Sequence, residues 1–506
     1  MLAKILSGTT VGLEGILIDV EVDVANRGFP TFTIVGLPSK AVDEAKDRVR
    51  TAIVNTSFEA PDSRVTVNLA PADIPKEGSS FDLPMAIGIL VASGMVKKEA
   101  VVDSLFIGEL SLEGKLRQVS GVISIALLAE KQKIKKIYLP IGNAKEASLV
   151  ENLEVYPVYN LIDLVLHLNG NKLLEPFPKI KIEELIPKGK YDFDFCDIRG
   201  QEQAKRALMI AAAGFHNLHL KGVPGAGKTM LSRAFPSILP DMDRGEILEV
   251  SKIYSVAGLL KDEYFVLTRP FRSPHHTTSR IGLIGGGSWP APGEVSLAHR
   301  GVLFLDEFSE FPRSVLEALR QPLEDGRVTI SRARGSVTFP CRFILLAASN
   351  PCPCGYLGHP KKNCRCLPGA IIKYKKRLSG PLLDRIDLHV DVPPVDEEKL
   401  IGSFKAETSA EIRKKVTQAR KIQAKRFKEI KTKTNGEMGT NDIKKYCFLT
   451  KEAINLLKQA ISQLSLSART YFKVIKIGQT IVDLEGDVEI NESHIAEALQ
   501  YRVKDE

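Results

Sequence analysis

Apolar and polar positions follow patterns along the chain that predict three folded regions. Residues 1–168 mix short β-rich runs with stretches of helical period, which indicates an α/β domain. The predicted strands are 16–22, 31–35 and 65–69, and the predicted helices are 41–55, 83–94 and 119–132. Residues 169–192 are polar and interrupted by prolines, as is typical of a linker.

The remaining residues change from an α/β pattern to a helical one. Residues 193–394 alternate buried strands with helices, which predicts a parallel sheet whose ligands lie at the carboxyl ends of its strands. Asn491 and Ser493 supply capping oxygens for the last helix of residues 395–506. The predicted helices of that region are 406–431, 451–464, 468–485 and 492–501.

A glycine-rich segment between a predicted strand and a predicted helix fits the phosphate-binding pattern G-x-x-x-x-G-K-[ST]. Its residues are Gly222, Val223, Pro224, Gly225, Ala226, Gly227, Lys228 and Thr229. In such a loop, backbone N–H groups point at phosphate oxygens, the lysine reaches the β and γ phosphates, and the threonine hydroxyl holds Mg²⁺. The segment predicts binding of a nucleoside triphosphate with Mg²⁺.

Two more predicted strands end in polar residues. The apolar run 301–305 ends in Asp306 and Glu307, where parallel-sheet nucleotidases place a Mg²⁺-linked aspartate and a water-activating glutamate. The run 343–348 ends in Ser349 and Asn350. Together with the phosphate loop, these residues predict hydrolysis of the nucleotide.

Length and composition describe a folded globular protein of several domains. The chain has 506 residues, of which 44% are hydrophobic and 26% charged. Glycines and polar residues interrupt residues 1–18, so we expect no signal peptide. The most apolar segment, 83–96, is shorter than the ~20 residues that cross a bilayer. We therefore expect no membrane partner and a cytoplasmic location.

The net charge of +9 is unevenly distributed. Residues 401–450 carry thirteen Lys or Arg against five Asp or Glu, and residues 351–377 carry seven basic and no acidic residues. Localised positive charge favours a polyanion, usually nucleic acid. The solvated face of an amphipathic helix explains the first segment equally well, so both interpretations stay open.

Four of the seven cysteines lie close together in the sequence, as Cys352, Cys354, Cys364 and Cys366. In a reducing compartment a metal explains such a group better than disulfides do, and four thiolates suit the tetrahedral geometry of Zn²⁺. The C-x-C spacing is tighter than usual for zinc, and His359 could replace one thiol. Structural zinc and four free thiols are both compatible with the sequence.

The motifs taken together resemble those of AAA+ ATPases of the magnesium-chelatase-like class, with the segments 197–201 (DIRGQ) and 379–387 (SGPLLDRID) as further shared parts. The runs 274–279 (PHHTTS) and 292–299 (PGEVSLAH) resemble more closely the ComM/YifB family of competence-associated bacterial ATPases. The resemblance covers essentially the whole chain. It implies an AAA+ parallel-sheet core at 193–394 and a C-terminal helical lid at 395–506.

The resemblance also implies roles for the residues around the nucleotide. Gly200 and Gln201 would line the adenine pocket, and Asp306 with Thr229 would hold Mg²⁺. Glu307 would polarise the attacking water. Asn350 would orient that water or sense the γ-phosphate, because its amide both donates and accepts hydrogen bonds.

Two arginines complete the implied site. Arg385 resembles the finger that one subunit supplies to its neighbour's nucleotide, and Arg469 resembles the lid arginine that reports on the γ-phosphate. A finger supplied in trans contributes ~10³ to 10⁵ in rate, so the resemblance implies a ring, by analogy a hexamer. The alternative for Arg385 is a surface ion pair with Asp384 or Asp387.

Residues 323–339 alternate as two strands around a turn at 333–335. In related ring motors a hairpin at this place projects into the central pore, where Arg332 and Arg334 would contact phosphates of a nucleic acid. An ordinary solvent-exposed hairpin is the alternative.

Residues 1–168 resemble the proteolytic domain of Lon-type proteases through the runs 75–82 and 108–114. Ser80 falls near that family's nucleophile, which needs a lysine base within hydrogen-bond reach. The matching lysine position is Ile123 in this chain. The resemblance therefore implies a non-proteolytic domain used for assembly or for engaging a substrate.

Two functions follow from the resemblance. One is a DNA translocase or helicase that remodels branched or recombining DNA, as in natural transformation. The other is a motor that remodels proteins or inserts a metal, as chelatases do, although the sequence shows no separate domain with an acidic D-x-S-x-S site. The arginines of the hairpin and the basic residues near the C-terminus favour DNA.

Overall fold

A computed structural model of the chain describes residues 1–25, 29–76, 78–180, 191–260, 264–287, 290–332, 335–395, 406–430 and 432–503. The chain forms two compact units. The first comprises residues 1–186 together with 244–267, and the second comprises residues 187–243 together with 268–506.

The first unit is built on a mixed seven-stranded sheet with the strand order β3-β4-β2-β1-β5-β8-β9. Its strands are β1 (Leu2–Val11), β2 (Glu14–Val24), β3 (Thr31–Val35), β4 (Arg64–Ala70), β5 (Ser104–Phe106), β8 (Lys136–Pro140) and β9 (Glu154–Val158), with a small hairpin of β6 (Glu109–Leu110) and β7 (Leu116–Arg117). Its helices are α1 (Lys40–Asp43), α2 (Ala45–Asn55), α3 (Asp82–Ala92), α4 (Val122–Lys131), α5 (Ile141–Ala147) and α6 (Leu161–Leu168).

The second unit is built on a five-stranded sheet in which every strand pair is parallel. The strand order is β11-β14-β17-β10-β18, from β10 (Leu218–Gly222), β11 (Phe271–Arg272), β14 (Val302–Leu305), β17 (Ile344–Ser349) and β18 (Leu388–Val392). The unit also contains two antiparallel hairpins, β12 (Gly285–Gly286) with β13 (Ala291–Pro292) and β15 (Arg327–Arg332) with β16 (Gly335–Pro340).

Helices follow the strands of this sheet and fill the C-terminal part of the unit. They are α7 (Glu202–Gly214), α8 (Lys228–Ala234), α10 (Arg280–Ile284), α11 (Glu294–Leu297), α12 (Arg313–Ala318), α13 (Arg320–Asp325), α14 (Pro368–Lys375), α15 (Gly380–Leu383), α16 (Ser409–Arg426), α17 (Thr440–Tyr446), α18 (Lys451–Leu464), α19 (Ala468–Glu485) and α20 (Glu492–Gln500). Between α8 and α10 the chain contributes α9 (Arg244–Val256) to the first unit.

One hydrophobic core joins the parallel sheet to the C-terminal helices. Leu218 and Leu220 of β10 belong to the same buried cluster as Val416 of α16 and Ile481 of α19. Local signals set the helix ends: Thr408 and Glu411 form a capping box at the start of α16. The C-terminal helices are therefore part of the same compact unit as the sheet.

Most of the predicted elements are confirmed with small shifts of their ends. The predicted strands 16–22 and 65–69 are the central parts of β2 and β4, and the predicted helices 451–464 and 468–485 coincide with α18 and α19. Asn491 accepts a hydrogen bond from the backbone N–H of His494, 3.2 Å away, and so caps α20 as expected. The strand β1, which pairs with β2 along its whole length, was not predicted, because its glycine and threonines weaken the apolar alternation.

The segment Arg244–Leu267 belongs to the first unit although it lies within the sequence range predicted for the ATPase core. A buried polar contact fixes it there. Ser255 of α9 donates a hydrogen bond of 2.9 Å to Glu146 of α5, which also accepts one from Asn143. Burial raises the pKa of Glu146 to about 7, against the smaller opposing effect of these two hydrogen bonds.

Replacing Glu146 by glutamine should remove a pH-dependent loss of stability. The folded chain keeps the Glu146 proton up to pH of about 7, whereas the unfolded chain releases it near the ordinary value of 4.5, so stability falls as pH rises between these values. Glu146→Gln should therefore gain about 1–3 kcal/mol over the wild type between pH 5 and pH 8, measured by scanning calorimetry. The control is Glu14→Gln, which removes an exposed carboxylate that forms an ion pair with Lys252 of α9. An equal pH dependence in the wild type and Glu146→Gln would contradict this account.

Candidate active site

The phosphate-binding pattern lies where β10 ends and α8 begins. Strand β10 is held between β17 and β18, so the loop that follows it leaves the carboxyl edge of the sheet near its centre. Gly227 has a φ of +90°, a left-handed conformation that glycine adopts without a steric penalty. The chain then enters α8 at Lys228, with the helix N-terminus directed at the loop.

The Lys228 ammonium points back into the loop. It donates hydrogen bonds to the carbonyl oxygens of Gly222 (2.6 Å) and Val223 (2.9 Å) and to the side-chain oxygen of Asn350 (3.2 Å). Burial lowers the pKa of Lys228, and the nearby Asp306 carboxylate opposes that shift. The three acceptors hold the lysine inside the loop, where phosphate oxygens can replace them.

The structure brings the two proposed magnesium ligands together. The Thr229 hydroxyl donates a hydrogen bond of 2.9 Å to Asp306, which directly follows β14. A hydroxyl beside a carboxylate at the end of a phosphate loop offers the oxygen ligands that Mg²⁺ prefers, with phosphates and water completing its octahedron. The residues present therefore fit a Mg²⁺ ion with a nucleotide.

Glu307 lies next to this pair in a strained backbone conformation, with a φ of +50°. Its carboxylate contacts a ring nitrogen of His276 at 3.1 Å. His276 belongs to the PHHTTS run, and its ring also packs edge-on against Phe311. No role for His276 could be predicted from the sequence, because nothing in the spacing of residues 276 and 307 indicates that their side chains meet.

The residues expected to surround the base occupy two different positions. Gly200 lines a cavity of about 470 Å³ together with Ile198 and Met209. The side chain of Gln201 instead donates hydrogen bonds to the carbonyl oxygens of Ala226 (3.2 Å) and Pro393 (2.5 Å). Gln201 thus links the backbone of the phosphate loop, at Ala226, to the segment that follows β18, at Pro393.

Arg385 and Arg469 meet on one carboxylate. Arg385 donates a hydrogen bond of 2.6 Å to one oxygen of Glu324, and Arg469 donates one of 3.1 Å to the other. The hydrogen bond from Arg385 lowers the pKa of Glu324, and the charge of Arg469 adds to the effect. The ion-pair partner of Arg385 is therefore Glu324, whereas the sequence suggested Asp384 or Asp387.

These arginines lie at the opposite edge of the sheet from the phosphate loop. Arg385 precedes β18, and Asp387 accepts a hydrogen bond of 3.0 Å from the backbone N–H of Asn217, which precedes β10. The phosphate loop follows β10 at its other end. Because parallel strands rise about 3.3 Å per residue, the five residues of β10 separate the two edges by about 13 Å.

The four cysteines form one cluster, and their sulfur atoms all lie within 4.8 Å of one another. Cys352 is 3.4 Å from Cys354 and 3.6 Å from Cys364, too far for a disulfide. These distances are close to the ~3.8 Å edge of a tetrahedron with Zn–S bonds of about 2.3 Å. The donor set therefore fits Zn²⁺. His359 is turned to other partners, since its Nδ1 accepts hydrogen bonds from the backbone N–H groups of Lys361 and Lys362.

Backbone N–H groups point at the sulfur atoms of this cluster. Cys354 donates through its backbone N–H to the sulfur of Cys366, and Leu357 donates to that of Cys352, both at 3.4 Å. A hydrogen bond from the backbone N–H of Tyr356 is the largest of the effects that lower the pKa of Cys354 to about 6. Although a backbone N–H donor to each sulfur opposes the shift, burial and contacts with neighbouring thiols raise the pKa of Cys364 to about 12 and also raise the pKa of Cys366. The backbone donors favour the thiolate form that metal binding requires, and a bound cation would favour it further at all four sulfur atoms.

The remaining predicted residues are only partly described. Strand β15 ends at Arg332, opposite Gly335, and the turn residues 333–334, including Arg334, lie outside the described residues. In the first unit Ile123 is fully buried in α4, so this position offers no base to Ser80. Among the helices that the structure describes, none has both the length and the apolar character needed to span a bilayer.

The fold and the site define a protein of the AAA+ type, with a phosphate-loop motif, an acidic strand end and two arginines on one parallel-sheet unit. Residues 194–400 match the family model "Magnesium chelatase, subunit ChlI", residues 20–143 "Subunit ChlI of Mg-chelatase", and residues 406–502 "Magnesium chelatase, subunit ChlI C-terminal".

Relatives match along nearly the whole chain. The chain is 45% identical to the competence protein ComM of Haemophilus influenzae, over 99% of this chain and 97% of ComM. It is 40% identical to YifB of Salmonella typhimurium, over 100% of this chain and 97% of YifB, and 40% identical to YifB of Escherichia coli, over 98% and 96%. The chain therefore belongs to the ComM/YifB family of magnesium-chelatase-like proteins.

Proposed function

We propose that the protein is an ATP-driven ring motor that hydrolyses ATP between neighbouring copies of the chain. Within one copy, the phosphate loop (residues 222–229) binds the triphosphate, and Thr229 with Asp306 holds Mg²⁺. Glu307 accepts the proton of the attacking water, and Asn350 orients that water against the γ-phosphate. His276 holds the Glu307 carboxylate in place through their 3.1 Å contact.

The observation that carries this proposal is the position of Arg385 and Arg469. Both arginines bind Glu324 at the amino edge of the sheet, whereas the phosphate loop lies at its carboxyl edge. An arginine side chain does not span the ~13 Å between the edges. The two guanidinium groups can therefore act on a γ-phosphate only when a second copy presents its nucleotide to them.

Glu324 gives both arginines a partner while no neighbour is bound. Its carboxylate carries one negative charge, whereas the γ-phosphate in the transition state carries more charge over three oxygens. A guanidinium forms bidentate hydrogen bonds with either group. The neighbour's triphosphate therefore competes with Glu324 for the arginines when the ring forms. By analogy with the family, we expect a hexamer.

DNA is the polymer that we propose as substrate, single-stranded or branched. Three features support it: the basic segments 351–377 and 401–450, the arginines of the β15–β16 hairpin, and the similarity to a protein named for competence. A remodeller of proteins, or a motor that inserts a metal, is the alternative favoured by the chelatase-type family models. On the DNA proposal the protein works in the cytoplasm.

We further propose that the four-cysteine cluster holds a structural Zn²⁺. The sulfur distances suit its tetrahedral bond lengths, and two backbone N–H groups stabilise the thiolates. Zinc has no redox chemistry in this setting and would serve to fix the loop between residues 352 and 366.

Mixing two inactive variants should restore ATP hydrolysis if the site is shared. Arg385→Ala keeps the phosphate loop and Glu307, while Glu307→Gln keeps the arginines. Each variant alone should bind ATP and lose nearly all turnover, because a trans-acting arginine contributes ~10³ or more in rate. At mixed interfaces Arg385 of one variant completes the site of the other, so a steady-state ATPase assay should show activity.

The matched control is Arg385→Ala mixed with the double variant Arg385→Ala/Glu307→Gln. Neither protein in this mixture has Arg385, so no mixed interface can contain it. ATPase activity in this control mixture would show that the site is not shared. The same conclusion would follow if the first mixture had no ATPase activity although both proteins bound ATP and associated.

Forked DNA should stimulate the ATPase activity, and the stimulation should weaken as salt is raised, because each phosphate contact releases counterions. Arg332→Ala/Arg334→Ala should need more DNA for half-maximal stimulation, with a log–log salt slope reduced by about 1–2. Arg327→Ala, which removes one positive charge at the base of the hairpin, is the control and should leave the half-maximal DNA concentration nearly unchanged. Stimulation by an unfolded protein and none by DNA would favour the alternative function.

A further inference from the structure

The cysteine loop, residues 352–366, lies directly against the phosphate loop. At Gly355 a Cβ atom would come within 2.5 Å of Cγ and 2.7 Å of Cδ in the Pro224 ring, and within 3.8 Å of the Asn350 side chain. The backbone at Gly355 therefore packs on Pro224 without room for even a methyl group. Pro224 is inside the phosphate loop, between Val223 and Gly225.

The position of Gly355 is set by the cysteine cluster. Its backbone N–H donates a hydrogen bond of 2.9 Å to the carbonyl oxygen of Cys352, and it is the next residue after Cys354. The rest of the loop has little apolar packing to fix it, since Cys352 and Gly355 are its only buried residues. A metal bound by the four cysteines would supply order that so small a core does not.

Asn350 links the two loops a second time. It lies two residues before Cys352 at the end of β17, and its side-chain oxygen accepts a hydrogen bond of 3.2 Å from Lys228. A shift of the cysteine loop is therefore transmitted to the phosphate loop through Pro224 and to the phosphate-binding lysine through Asn350.

We propose that the metal-bound cysteine cluster positions the phosphate loop for nucleotide, with Gly355 against Pro224 as the contact that transmits its geometry. This inference rests on the proposed nucleotide and zinc sites. Gly355 is then a positioning residue, and the binding of zinc is coupled to the binding of nucleotide. Zinc should raise the affinity for nucleotide, and nucleotide should raise the affinity for zinc by the same factor, because coupling free energies are reciprocal.

The chain offers a matched pair of substitutions for the test. Gly355 and Gly358 lie in the same loop and both have left-handed φ angles, +81° and +77°. Alanine at either position carries the same backbone cost of about 1 kcal/mol. Only at Gly355 does the added methyl group meet another atom, because nothing lies within 4 Å of a Cβ at Gly358.

The first experiment measures the dissociation constant of a non-hydrolysable ATP analogue with Mg²⁺, together with zinc content, for the wild type and both variants. Protein purified without chelator should contain one zinc per chain. Gly355→Ala should keep its zinc and bind nucleotide about tenfold or more weakly, since displacements near 1 Å cost up to ~10²-fold in positioned sites. Gly358→Ala should keep its zinc and stay within about twofold of the wild type.

A suppressor makes the test independent of folding losses. Pro224→Ala removes the ring atoms that the new methyl group meets, so Pro224→Ala/Gly355→Ala should bind nucleotide more tightly than Gly355→Ala alone. A general loss of stability would not be repaired by a second substitution in the phosphate loop. In a double-mutant cycle of these substitutions, the non-additive part of the change in nucleotide-binding free energy measures the contact between residues 224 and 355.

The second experiment removes zinc from the wild type with a zinc-selective chelator in excess Mg²⁺. Nucleotide affinity should fall by about tenfold and return when zinc is added back. Equal affinities of the two alanine variants, absence of suppression, or unchanged affinity after zinc removal would each overturn the inference. Failure of the zinc-loaded wild type to bind nucleotide would instead overturn the proposed function.

Discussion

The direction of the parallel sheet is the constraint on which the proposed mechanism depends. Every strand pair in the second unit is parallel, so all loops that follow strands leave one edge and all segments that precede strands enter at the other. The phosphate loop, Asp306 and Asn350 all follow strands, whereas Arg385 precedes one. No rotation of a side chain changes this assignment. In the proposed mechanism, the separation of the two edges is the reason why one subunit would need a second copy to complete its site.

The Glu324 carboxylate holds Arg385 and Arg469 together on the side of the sheet away from the phosphate loop. Two guanidinium groups bind one carboxylate, which keeps them close together. In the proposed mechanism, a neighbour's phosphate would be bound at this position. Arg385 has a mostly buried side chain, and its Nε has no hydrogen-bond partner among the described residues.

The division of the chain into two units does not follow the order of the sequence. The chain passes between the units at 186/187, 243/244 and 267/268, because the segment Arg244–Leu267 folds into the first unit. A buried contact between Ser255 and Glu146 fixes the segment there, and the backbone N–H of Gly121 donates to the carbonyl oxygen of Ser255. The first unit thus needs a helix from the middle of the chain to complete its packing.

Local chemistry in the sequence determined the phosphate loop, the acidic end of β14 and the helices of the C-terminal region, because each depends on residues adjacent in the chain or spaced by one helical period. Thr229 and Asp306 are 77 positions apart and were expected together for another reason: both follow predicted strands of one parallel sheet, and the family resemblance assigns both to Mg²⁺. Tertiary structure alone decided that His276 meets Glu307, that Glu324 joins Arg385 to Arg469, and that Gly355 rests on Pro224. These pairs are distant in sequence, and only the packing of strands and loops around one sheet brings them within reach.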